Sequence, residues 1–109
     1  MWGLDPWPGF GGPPLSPAEK AALGLEPGRF AVRVNYLVTW GPHAHTGRNA
    51  ARAGIRKDDV VLSVAGVSDF ETELHLQTWF RFTRTPGEEV EVRLLRDGRE
   101  LTVTLPVVD

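Results

Sequence analysis

Two histidines separated by one residue are the side chains in this sequence whose type and spacing best suit chemistry. His43 and His45 stand in the segment TWGPHAHTG. On an extended segment, residues two apart point to the same side, where two imidazoles can hold a zinc or copper ion. A zinc site needs at least one further ligand, and neither His75 nor a carboxylate stands at a spacing that would supply it. The pair is a weak metal candidate, and the alternative is a polar loop tip.

Serine and aspartate residues offer little for catalysis. Ser16, Ser63 and Ser68 lie outside any Gly-x-Ser-x-Gly motif. Asp58 and Asp59 are adjacent, and neighbouring side chains on a turn diverge, which favours a solvated corner over a pair of cooperating carboxylates. The sequence has no cysteine, so thiolate zinc sites and cysteine nucleophiles are excluded. We therefore expect no catalytic site and no cofactor.

A glycine-rich segment near the N-terminus, Gly9-Phe10-Gly11-Gly12, is a candidate for anion binding. Successive backbone N–H groups around glycines can form a concave nest that holds a carboxylate. The alternative is a flexible Gly/Pro linker, and the sequence leaves both interpretations open.

Residues 72–84 have the spacing of an amphipathic helix whose N-cap is Thr72. Leu76 and Phe80 are expected to pack inward. Large apolar residues are more numerous than one buried face can hold, so another stripe should face a groove or partner, unless the whole set is core. The candidates for such a stripe are His75 with Trp79, or Leu74 with Thr78 and Phe82.

The elements that position these residues belong to one domain. The chain has 109 residues and a net charge of −2, with acidic and basic residues interspersed, which argues against nucleic acid as a partner. Ser16, Pro17 and Glu19 form a capping-box pattern for a first helix. A half-buried strand is predicted near residues 30–38, one helical turn ending at Gly54, and a buried strand from Val60.

The C-terminal segment predicts a hairpin with its turn at Asp97-Gly98. The expected fold class is α+β, a small partly open β-barrel or sandwich of about five to six strands capped by two helices. Residues 1–9 are expected to be an irregular arm, and residues 10–108 a single domain with an inserted loop at 39–47. The opening Gly/Pro/Trp-rich residues suggest a piece of a larger protein.

The ordered set AARAGIRKDDVVLSVAGV, a helix, and TPGEEVEVRLLRDGRELTVTL resembles a PDZ domain of the bacterial kind found in high-temperature-requirement and tail-specific proteases. The resemblance is good over residues 48–107. Asp58 replaces a usual glycine, Asn49 replaces a usual proline, and the connection NYLVTWGPHAHTGR is longer than expected.

The resemblance implies a non-enzymatic module that binds a peptide or protein C-terminus and selects or gates substrates of a parent protein. Its parent would be periplasmic, secreted or membrane-associated. The implied groove comprises Gly9, Phe10, Gly11, Gly12, Leu74, His75, Thr78, Trp79 and Phe82.

Proline residues at 13 and 14 remove two backbone donors beside that glycine segment, so the resemblance implies weak peptide binding. Two other classes of function remain open. One is a metal-dependent function at His43 and His45. The other is a structural domain or homodimer formed through exposed aromatics such as Trp40 and Trp79.

Overall fold

The computed structural model describes residues 6–108; residues 1–5 of the predicted arm, and residue 109, lie outside the described part. Its strands are β1 (Phe10–Gly11), β2 (Val32–Arg33), β3 (Tyr36–Leu37), β4 (Val60–Val64), β5 (Glu89–Arg96) and β6 (Arg99–Pro106). Its helices are α1 (Pro17–Ala22), α2 (Ala44–Ala53) and α3 (Glu73–Thr83), with a 3₁₀ turn at Gly41–His43 before α2.

The strands form two antiparallel sheets. One has four strands in the order β2-β4-β5-β6, and the other pairs β1 with β3. A single bridge between Pro14 and Val32 connects the segment after β1 to the larger sheet. The α+β prediction with five to six strands is therefore confirmed, and the sheets leave the barrel open.

The core is divided between the two faces of the larger sheet. Strand β4 is buried on both faces, since Val61 packs in the main cluster while Val60 and Leu62 pack in a smaller one. Helix α3 contributes Leu76 and Phe80 to the main cluster, as its spacing predicts. Burial of each such side chain contributes about 1.5–3 kcal/mol, so this cluster holds the helix against the sheet.

Two predictions for residues 30–38 need correction. This segment was expected to be one half-buried strand, but it forms the two short strands β2 and β3. Ala31, expected on the polar face, is 1% exposed because it packs in the smaller cluster with Leu15.

Residues 39–47 were expected to be an inserted loop, and that prediction is wrong for most of the segment. The 3₁₀ turn at Gly41–His43 runs directly into α2, which has ten residues instead of the single predicted turn. Residues 6–108 thus contain three helices, of which α2 was predicted only as a single turn. Gly54 ends α2 with φ of 109°, the left-handed conformation that glycine adopts without steric cost.

The predicted turns are present where the sequence placed them. Ser16 and Glu19 form the complete capping box of α1, and Thr72 caps α3 by accepting a hydrogen bond from the backbone N–H of His75 at 3.0 Å. Asp97 and Gly98 both have positive φ (51° and 75°), as a tight two-residue hairpin turn requires.

Of the adjacent residues Asp58 and Asp59, only the first is exposed to solvent. Asp58 is exposed with φ of 75°, which explains why a glycine would also suit this position. Asp59 is 2% exposed, against the prediction of a solvated corner, because it accepts two hydrogen bonds from the guanidinium of Arg96, both 2.7 Å long.

Among the described residues, no helix is both long and apolar enough to cross a membrane.

Candidate functional site

Strand β1 lies between β3 and helix α3. It pairs with β3 in the register Phe10 to Leu37 and Gly11 to Tyr36. On its other side, the backbone carbonyl of Phe10 accepts a hydrogen bond from the side-chain Nε2 of Gln77 on α3, at 2.8 Å. The glycine segment and α3 are therefore neighbours, as predicted, but a side chain already joins them.

A second bridge from α3 passes over β1. The Tyr36 hydroxyl donates to Oε1 of Glu73 at 2.7 Å. A Cβ atom on Gly11 would collide with both of these groups, so the bridge depends on glycine at that position. Burial, and then the hydrogen bond to the Glu73 carboxylate, raises the pKa of the Tyr36 phenol above its usual range. The phenol therefore keeps its proton to a higher pH than an exposed tyrosine does.

The remaining glycines of the segment are held against other parts of the backbone. A Cβ on Gly9 would collide with the carbonyl of Thr46 on α2, and one on Gly12 with the carbonyl of Arg33. All four residues from Gly9 to Gly12 are buried. The alternative interpretation, a flexible Gly/Pro linker, is therefore wrong for residues 9–12.

The predicted helix residues do not gather around the glycine segment. Leu74 and Phe82 are each 74% exposed, and Thr78 is exposed between them. His75 and Trp79 form a separate stripe whose rings make edge contacts with Phe70, at centroid distances of 5.5 and 5.1 Å.

The face of α3 toward β1 instead carries Glu73, Gln77 and Arg81. The first two bond to Tyr36 and Phe10, and the Arg81 guanidinium lies 5.3 Å from the ring centroid of Trp7, beside β1. These residues have the i, i+4, i+8 spacing of one helical stripe. The sequence analysis did not predict this stripe because its residues are polar, although they have the spacing of one helical face.

A cavity of about 510 Å³ opens where α3 meets the connection after β3. It is lined by Trp7, Asn35, Tyr36, Val38, Trp40, Gly41, Pro42, His43 and Gln77. Seven of these residues, from Asn35 to His43, belong to the connection that is longer than the resemblance led us to expect. The lining combines apolar side chains with a few polar groups, as ligand pockets do.

The two histidines occupy a helical turn instead of an extended segment, which corrects the geometry assumed for a metal pair. The His43 ring stacks on Trp7 with centroids 4.2 Å apart, and its centroid is 6.4 Å from that of His45. Within residues 6–108, no group of three or more metal-ligating side chains comes together. His43 therefore serves as an aromatic wall of the cavity.

Comparison with known proteins relates this arrangement to a group of proteases. No protein-family model matches the sequence, and no curated protein matches it. Among solved structures, the HtrA-type protease AlgW with a decapeptide is 24% identical over 96% of this chain and 29% of its own, with a TM-score of 0.67. A substituted form of AlgW with a decapeptide has the same identity and coverage and a TM-score of 0.75.

The serine endoprotease from Yersinia pestis matches at 20% identity over 96% of this chain and 29% of its own, with a TM-score of 0.62. The chain thus shares its fold with part of HtrA-type proteases and spans less than a third of their length.

Proposed function

We propose that this chain is a PDZ-like module, without catalytic activity of its own, that binds extended peptide segments for a larger protein. The observation that carries the proposal is the position of β1, which pairs with β3 along one edge and has α3 beside the other. An extended peptide that binds by strand addition needs a strand edge with side-chain pockets beside it. Solved structures of the same fold that contain peptides support this choice.

Peptide binding at this edge should be weak. Gln77 occupies the carbonyl of Phe10, and the backbone N–H of Leu15 already donates to Ala31, so neither group is ready for a peptide. Pro13 and Pro14 have no N–H to offer. Each backbone bond that a peptide cannot make is worth about 1 kcal/mol, so losing two weakens binding roughly ten- to thirty-fold.

The larger protein would use the module to select or gate its substrates. The fold match to HtrA-type proteases supports a protease as parent and a location outside the cytoplasm. Both statements rest on likeness of fold, and the reading frame surrounding these residues tests them directly.

Nuclear magnetic resonance on the isotope-labelled chain tests the binding function. We expect extended peptides, with free or amidated C-termini, to shift the backbone amides of Phe10, Gly11 and Gly12. The side-chain amide of Gln77 should move with them, because an added strand competes for the carbonyl of Phe10. A peptide library that leaves these resonances unchanged at millimolar concentration would refute the proposal.

A further inference from the structure

The cavity beside Gln77 has the chemistry of a side-chain pocket. Its volume of about 510 Å³ falls within the range of about 300–1,000 Å³ that is usual for ligand sites. It shares Gln77 with β1, so a peptide that pairs with β1 would pass its mouth. Trp40, which is 60% exposed, stands at the rim and offers a ring for stacking.

The lining favours a neutral group. None of the described lining residues is an aspartate, glutamate, lysine or arginine. A chain-terminal carboxylate would lose its hydration there without a lysine or arginine among the lining residues to pair with, at a large cost. The cavity therefore suits a peptide side chain better than a peptide terminus.

The Trp7 ring is not free to bind a cation. Both faces of the Trp7 ring are occupied, by the His43 ring stacked at 4.2 Å and by the Arg81 guanidinium at 5.3 Å. Trp7 is therefore not available for the kind of aromatic site in which quaternary ammonium ligands often bind.

Gln77 and Tyr36 give the cavity a more specific preference. Gln77 uses one amide hydrogen on Phe10, which leaves its second amide hydrogen and its Oε1 for another partner. Tyr36 donates its hydroxyl hydrogen to Glu73 and can still accept one. A ligand hydroxyl can both donate and accept, so it fits this pair, while an aromatic ring fits Val38, Trp40 and Pro42.

We propose that this cavity receives the side chain of a tyrosine in the bound peptide. The proposal rests on the peptide-binding function and adds the residue type that the peptide must carry. A phenol combines a flat apolar ring with a group that donates and accepts, whereas phenylalanine would leave Gln77 and Tyr36 without a further partner. The expected preference for tyrosine over phenylalanine is about 2- to 12-fold, the value of one net hydrogen bond.

The first test uses side-chain analogues with the intact chain. We expect 4-methylphenol to shift the indole resonance of Trp40 and the side-chain amide of Gln77, and to bind several-fold more tightly than toluene. Equal affinities for the two compounds would overturn the preference for a hydroxyl. Shifts confined to the exposed Leu74 and Phe82 face would overturn the location.

The second test uses matched variants and amidated peptides that differ only in one central residue, tyrosine or phenylalanine. Trp40→Ala should lower the affinity for the tyrosine peptide about 2- to 12-fold, which corresponds to the loss of one aromatic contact. Phe82→Ala removes a ring that is 74% exposed and does not line the cavity, so it should leave affinity unchanged. In Gln77→Leu the tyrosine and phenylalanine peptides should bind with equal affinity, whatever the effect of the substitution on the affinity itself.

The two proposals fail in different ways. If peptides shift Phe10–Gly12 but Trp40→Ala changes neither affinity nor the tyrosine preference, the tyrosine pocket is wrong and peptide binding stands. If 4-methylphenol binds at Trp40 but no peptide moves Phe10–Gly12, strand addition is wrong, and the tyrosine proposal fails with it as a statement about peptides.

Discussion

Removing Arg96 should destabilise the domain far more than removing any other arginine that forms a surface ion pair. Its guanidinium makes two 2.7 Å hydrogen bonds to Asp59 and a third, of 2.6 Å, to the carbonyl of Gly54. In Arg96→Ala the carboxylate of Asp59, 2% exposed, would keep only the backbone N–H of Arg56 as a hydrogen-bond partner among the described residues.

Breaking a buried ion pair in this way costs about 3–5 kcal/mol because a buried charge is left without compensation. The Arg96 side chain is 21% exposed, so water can partly replace it, and the lower value of about 3 kcal/mol applies. At 4–8 °C for each kcal/mol in a domain of this size, the melting temperature should fall by roughly 12 °C or more.

Thermal and urea unfolding of Arg96→Ala and Arg93→Ala provide the measurement. Arg93 pairs with Glu100 at 3.6 Å on the surface, where such a bridge is worth about 0–1 kcal/mol. In the double variant Asp59→Ala/Arg96→Ala the unpaired carboxylate is gone, so the combined loss should be smaller than the sum of the single losses. Equal destabilisation by the two arginine variants would refute the reasoning.

Three further predictions concern other parts of the molecule. Gly98→Val should cost at least about 1 kcal/mol, because φ at this position is 75°; an unchanged melting temperature would contradict that strain. Zinc should neither raise the melting temperature nor bind stoichiometrically, and calorimetry that finds one tightly bound zinc per chain would reverse this. The hydrogen bond from the backbone of Ser16 lowers the pKa of Glu19, so the contribution of this carboxylate to stability is present above its ordinary pKa and is lost as the pH falls through the lowered one. Hydrogen exchange of α1 should accelerate over that acidic interval in the native chain and not in Glu19→Gln.

Local chemistry explains why much of the fold could be predicted. The capping box at Ser16, the cap at Thr72, the helix stop at Gly54 and the turn at Asp97-Gly98 each depend on neighbouring residues only. The burial of β4 could be predicted because its apolar run leaves almost no polar face.

The errors arise where tertiary contacts override local pattern. Residues 41–47 contain Gly, Pro and two His, a loop-like composition. They nevertheless form the 3₁₀ turn and the start of α2, because this segment packs against Trp7, Gly9 and β3. Asp59 has the local sequence of a surface residue, but it is buried because it pairs with Arg96, 37 positions later in the chain. The hydrogen bonds of Gln77 and Tyr36 could not be predicted for the same reason, since their partners are distant in sequence.

The close backbone contacts made by Gly9 and Gly47 affect how this domain can be altered by engineering or evolution. A Cβ on Gly9 would collide with α2, and one on Gly47 would collide with the backbone of Val38. These contacts hold the backbone at Gly9, the residue after β3 and the start of α2 close together. Shortening the connection of residues 35–48 would therefore remove the backbone against which Gly9 packs as well as a wall of the cavity. Grafting this connection onto another domain should succeed only if the graft includes both Gly9 and Gly47.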